Sequence, residues 1–137
     1  MGGRRKGREL ALQMLYQWDL TRYPLPAVQE SFWTLNSEVE EEVHQFAESL
    51  MAGAISNIGA IDVLLASHAE HWRVARMATV DRNILRLATY ELLYESETPH
   101  PVIINEALEI ARRFSTPESI HFINGILDSI RKKKETA

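Results

Sequence analysis

The stretch ESIHFINGILDSI, Glu118–Ile130, decides the fold. Asn124-Gly125 is a strong hairpin signal when alternating apolar and polar residues flank it. That alternation is absent here. Ile120, Ile123, Ile126, Leu127 and Ile130 instead follow one helical face, and at about 100° per residue they fall within an arc of roughly 120°. A glycine inside such a helix costs about 1 kcal/mol relative to alanine, so it needs a reason. Phe122 and Gly125 lie outside the arc, beside Glu118 and Ser129. Two readings fit: a second helix packing closely over the glycine, or an aromatic presented to a base or a partner.

Working outward, the helical period recurs. In RRKGRELALQMLYQWDL, residues 4–20, Leu10, Ala11, Met14, Leu15 and Trp18 share a face and Tyr16 points almost opposite. The prolines of TRYPLP end that helix, and a short helix over about 26–34 follows. Ser37 and Glu40 are spaced as a capping box for the next helix, whose stripe is Val39, Val43, Phe46 and Leu50. Ile58, Ile61, Leu64 and Leu65 continue as another helix to about His68. VDRNILRLATYELLY, residues 80–94, is apolar almost all round and reads as a central helix. Pro101 suits a first helical turn. It opens a helix with Ile103, Ala107, Ile110 and Phe114 on one face and Glu109 and Arg113 paired four apart on the wet side. In STPES, Thr116 caps the last helix and Pro117 opens it. Strand alternation is absent throughout, and the fold class is all-α.

A chain of 137 residues suits one domain. It contains no cysteine, which excludes disulfides and thiolate metal sites. No apolar run reaches transmembrane length, so a cytoplasmic protein is expected. The net charge of −4 hides an asymmetry. Arg4, Arg5, Lys6 and Arg8 crowd one end and RKKK, residues 131–134, the other. Between them, Glu9 to Ile130 carries seven basic and eighteen acidic side chains. Basic ends on an acidic body can mark a polyanion contact or serve as solvated tails.

Catalytic patterns are weak. His68 and His71 in SHAEHW stand three apart and could share a metal, but no third ligand follows at a useful spacing, and a structural pair is the simpler reading. No nucleophile elbow or phosphate-binding glycine loop occurs. Glu91 falls on the apolar face of the central helix, where a carboxylate needs an arginine or several hydrogen bonds. Binding has more behind it: basic groups contact phosphates, and an off-core Phe122 beside His121 can stack on an unpaired base. Tyr16 is a separate exposed aromatic suited to a protein partner.

RRKGRELALQMLYQWDL, VDRNILRLATYELLY, PVIINEALEIARRF and HFINGILDSI, in this order and spacing, resemble the NusB family of bacterial transcription antitermination factors. The resemblance covers essentially the whole chain. YEL, INEA and FING carry most of it, while residues 22–77 match only in helical pattern. It implies two three-helix subdomains, about 1–77 and 78–137, joined by a short connecting helix, and no enzymatic activity. It implies binding of single-stranded boxA RNA in nascent ribosomal RNA leaders beside NusE, a small-subunit ribosomal protein. That assembly acts with other Nus factors on RNA polymerase, and some members form homodimers. Position by position, Arg4, Arg5, Lys6 and Arg8 correspond to the RNA-binding basic segment and Phe122 to an aromatic near the RNA, with Gly125 leaving room beside it. Tyr16 and Asp81 correspond to the NusE-facing surface; Arg86, Phe114 and Glu118 match sites near the binding surfaces. Two departures stand out: His121 replaces a common lysine, and STPES replaces a more glycine-rich turn.

The leading expectation is therefore a non-enzymatic RNA-binding factor without cofactor or metal. The alternatives are an RNA-targeting module like that fused to ribosomal RNA methyltransferases, and a homo-oligomeric helical scaffold with solubilising tails. A chain that stops soon after its last helix, with no cofactor-binding segment, favours the standalone factor.

Overall fold

The computed structural model describes residues 2–69 and 73–136. Its helices are α1 Gly2–Thr21, α2 Leu25–Leu35, α3 Glu41–Ser56, α4 Ile58–His68, α5 Thr79–Tyr94, α6 His100–Phe114 and α7 Pro117–Thr136, with a 3₁₀ turn at Val74–Arg76. No strand occurs among the described residues, and the fold is all-α.

The apolar stripe of α1 is its buried face: Leu10, Ala11, Met14 and Leu15 are inaccessible and Trp18 is half-buried. This face lies along α3 and α5. Gly7 permits the approach, since a Cβ there would come 2.6 Å from the Phe46 ring. The helix ends at Arg22, whose φ of 57° is the left-handed conformation common at helix termini. Its guanidinium sits 4.5 Å from the Trp18 ring centroid, a contact that offsets part of the backbone cost.

The expected capping box at Ser37 and Glu40 does not form. Helix α3 starts at Glu41, with Glu40 as its cap residue and no side-chain cap hydrogen bond. Val39 packs against the core from the irregular segment ahead of the helix, which keeps residues 37–40 out of it. Glu41 and Glu42 in the first turn favour the helix by complementing its dipole. α3 and α4 meet at Asn57 with a bend of 75°, and the Asn57 amide donates to the Gly53 carbonyl at 2.8 Å.

α5 is the central helix, with α1, α3, α4, α6 and α7 all packed on it. Ten of its residues from Asp81 to Leu92 are buried, as a helix apolar almost all round requires. α7 begins as its sequence dictates: the Ser119 backbone N–H donates to Thr116 Oγ1 at 3.2 Å, and Pro117 is the first helical residue. Ile123, Ile126, Leu127 and Ile130 are buried. Gly125 does not receive a second helix: a Cβ there would meet no atom within 4 Å. Phe122 is half-buried, packed against the edge of the core. No single helix among the described residues is long and apolar enough to cross a membrane.

Candidate nucleic-acid interface

The basic run at the start of α1 divides by helical phase. Lys6 and Arg4 are exposed, and the Arg4 guanidinium rests 4.1 Å from the Phe46 ring centroid. Arg5 grips Glu106 of α6 through Nε and Nη2 at 3.0 and 2.7 Å. Arg8 lies one turn before Leu12 on the inward face and is only 7 % exposed. Its Nε and Nη2 each donate to a Glu91 oxygen at 2.8 Å. This is the arginine that the buried Glu91 requires. Arg8, expected among the RNA-binding residues, thus has its two-pronged edge closed on a carboxylate inside the protein. Burial pulls the Arg8 guanidinium down, but the hydrogen bonds and charge of Glu91 outweigh it and hold it above its ordinary value. The Arg5 hydrogen bonds draw Glu106 below the usual carboxylate range against its partial burial.

The corner between α6 and α7 collects the other expected RNA residues. Phe114 is 37 % exposed, Glu118 and His121 are exposed, and Phe122 is half-buried. Asp81, expected at a partner surface, is buried beneath this corner. It accepts hydrogen bonds from the Ser115 hydroxyl and, at 2.6 Å, from the Ser119 hydroxyl. One carboxylate on α5 thus fixes the STPES turn. A groove of about 240 Å³ runs beside it, with Arg76, Asp81, Glu118 and Phe122 among its walls.

Of the residues expected to face a protein partner, Tyr16 is accessible, at 38 %. Arg86 is 4 % exposed and ties three helices together. Its Nε and Nη2 hold Asp62 of α4 at 2.9 and 2.8 Å, while Nη1 donates to Asp19 of α1 at 3.1 Å. Asp19 also accepts from Arg82 at 2.8 Å and Asn83 at 3.0 Å. Burial pushes the Asp19 carboxyl up, yet the donors Arg82, Asn83 and Arg86 together leave it below its ordinary range. Asp81 and Arg86 therefore lie behind the surface, and of the three residues expected to face a partner Tyr16 is the accessible one.

The two groups of residues expected to bind RNA are joined by a seam that sequence reading missed. Arg113 does not pair with Glu109, as its spacing suggests; Glu109 takes Arg112 at 2.7 Å. Arg113 reaches across to Glu9 of α1, its Nη1 lying 2.9 and 3.0 Å from the two oxygens. With Arg5–Glu106, this ties the first turns of α1 through long side chains to α6, whose last residue is Phe114. A signal was present for one half of it: Glu106 stands between Ile103 and Ile110. A carboxylate inside an apolar stripe asks for a cation from another element.

The possible histidine metal pair gains no support. His68 Nδ1 shares a hydrogen bond with Ser129 Oγ at 2.7 Å, and burial, with Lys133 nearby, lowers its imidazole pKa. His71 lies outside the described residues, and among those described no group of three metal-ligating side chains occurs.

Comparison with known proteins matches residues 5–132 to the NusB family. The transcription antitermination protein NusB of Koribacter versatilis (strain Ellin345) is 54% identical over 132 residues, covering 96% of this chain and 90% of that protein. The protein of the same name from Solibacter usitatus (strain Ellin6076) is 45% identical over 97% of this chain and 91% of its own length. Among solved structures, T. maritima NusB superposes with a TM-score of 0.87 at 39% identity, covering 95% of this chain and 91% of that one. A structure of antitermination factors NusB and NusE in complex with dsRNA shares the fold at 23% identity, with a TM-score of 0.88 over 97% of this chain and 98% of that one. The family model over residues 5–132 and relatives of this identity and coverage show that the chain belongs to the NusB family.

Proposed function

We propose that this chain is a cytoplasmic, non-enzymatic bacterial transcription antitermination factor that binds the boxA segment of nascent ribosomal RNA leaders together with NusE. The observation that carries the reading is the continuity of one surface. Arg4, Arg5 and Lys6 open α1, and the α1–α6 seam leads from them to Phe114 and on to Glu118, His121 and Phe122 at the start of α7. Cations at one end supply phosphate contacts, and the aromatic corner supplies stacking for unpaired bases. NusE docks at Tyr16 and extends the RNA surface, and the pair acts with other Nus factors on RNA polymerase. Asp81 and Arg86 serve this surface from behind by fixing the STPES turn and the α1–α4–α5 junction. Arg8 serves it by anchoring α1. The molecule divides at about residues 77 and 78 into two helical subdomains, both carried by α5.

Fluorescence anisotropy of a boxA-containing RNA tests the reading, with a scrambled RNA as control and with and without NusE at several salt concentrations. Preference for boxA, strengthened by NusE, is expected. Lys6→Ala should weaken binding and lower the magnitude of the log–log salt slope by about 0.7, the share of one phosphate contact on a single strand. Equal affinity for both RNAs would leave only a basic-ended helical protein.

A further inference from the structure

Arg5 and Arg8 of α1 and Arg112 and Arg113 of α6 do not bind their carboxylates alike. Arg5 and Arg8 close on Glu106 and Glu91 through the Nε–Nη2 edge, the two-pronged side that fits a carboxylate or a phosphate. Arg113 docks end-on. Its Nη1 alone serves both oxygens of Glu9, and Nε and Nη2 have no hydrogen-bond partner among the described residues. Arg112 likewise uses one terminal nitrogen, but on the half-exposed Glu109 of its own helix. Glu9 is different, because its side chain is 7 % exposed while that of Arg113 is 63 % exposed. A buried carboxylate therefore fixes the inner end of a guanidinium whose two-pronged edge is left over. The same guanidinium lies 5.1 Å from the Phe114 ring centroid, and seven residues of α6, about 10 Å of helix, separate it from the Arg5–Glu106 pair.

We infer that Arg113 is a further RNA-binding residue, a two-pronged phosphate contact at the edge of the aromatic corner that faces the basic start of α1, with Glu9 as its positioning residue. This rests on the RNA-binding reading above and adds to it the contact that bridges its two halves. The local charges balance, since Arg5, Arg112 and Arg113 stand with Glu9, Glu106 and Glu109. The site thus works through an oriented edge at short range more than through a field. Arginine and lysine are then not equivalent at this position.

The test is anisotropy of the boxA-containing RNA with the full chain and NusE, comparing the unsubstituted protein with Arg113→Ala and Arg113→Lys across a salt series. Arg113→Ala should weaken binding by about tenfold and reduce the slope by about 0.7. Arg113→Lys should weaken it several-fold while keeping the slope, because charge remains and the edge is lost. Should Arg113→Ala fail to fold with Glu9 unpaired, the double variant Glu9→Gln with Arg113→Gln carries the same expectation of weakened binding. Affinity and slope equal to those of the unsubstituted protein in the folded variants overturn the role of Arg113 alone. Absence of boxA binding by the unsubstituted protein overturns the RNA reading and this contact with it.

Discussion

Arg8 and Lys6 show how two residues apart can mean opposite fates. Both belong to a basic run that reads as one patch, yet the phase of α1 sends Arg8 inward to Glu91 and leaves Lys6 outside. The need of Glu91 was legible in the sequence because a carboxylate sat on an apolar face. Its partner was not, because the identity of a cation 83 positions away depends on how α1 lies on α5. Arg8→Ala should cost roughly 3–5 kcal/mol by leaving Glu91 buried and unpaired, read as a fall in urea midpoint at unchanged m-value. Arg8→Met combined with Glu91→Leu should recover most of that loss, since an apolar pair needs no compensation. Recovery would identify the pair as structural; a double variant as unstable as the single one would point to a further role for Glu91.

At the scale of elements, the α-helices were legible, the longer ones from apolar stripes at helical spacing and α2 from the prolines ahead of it, whereas the 3₁₀ turn Val74–Arg76 was not. Boundaries were less so where packing overrides local chemistry. The Ser37–Glu40 capping signal went unused: α3 starts at Glu41 without a side-chain cap, and Val39 packs on the core from outside the helix. The glycine of FING was read as helical, and the structure decides between its two explanations: the space beside it is open. Gly125→Ala should therefore stabilise α7 by about 1 kcal/mol, raising Tm by about 3–4 °C for a domain of this size. If the open space serves RNA, the same substitution should weaken boxA binding in anisotropy. A variant both more stable and equally tight in binding would make that space incidental.

Over the whole molecule, acidic composition conceals an interior network in which carboxylates and guanidinium groups join helices far apart in sequence. Asp19 is its hub, drawing on Arg82, Asn83 and Arg86 while Arg86 also holds Asp62. Because the folded-state pKa of Asp19 lies below its ordinary value, its ionised form contributes stability above the usual carboxylate range. That contribution is lost as pH falls through the lowered value. Urea midpoints of the unsubstituted protein should accordingly fall below about pH 4. Asp19→Asn, which does not titrate, should be markedly less stable at pH 7, with the gap narrowing toward pH 3. A gap independent of pH would show that the loss comes from geometry and not from charge. None of these pairings could be read from composition, since they depend on which helices become neighbours.

The α1–α6 seam also sets an order of events in time. The carboxylate that receives Arg5 lies 101 residues downstream, and the arginine that receives Glu9 lies 104 downstream. At synthesis rates of about 5–20 residues per second, α1 waits roughly 5–20 s before α6 exists to meet it. Pairings of such long sequence separation form late and slow folding. The end of the molecule proposed to face RNA is thus the first part to be made and among the last to be completed.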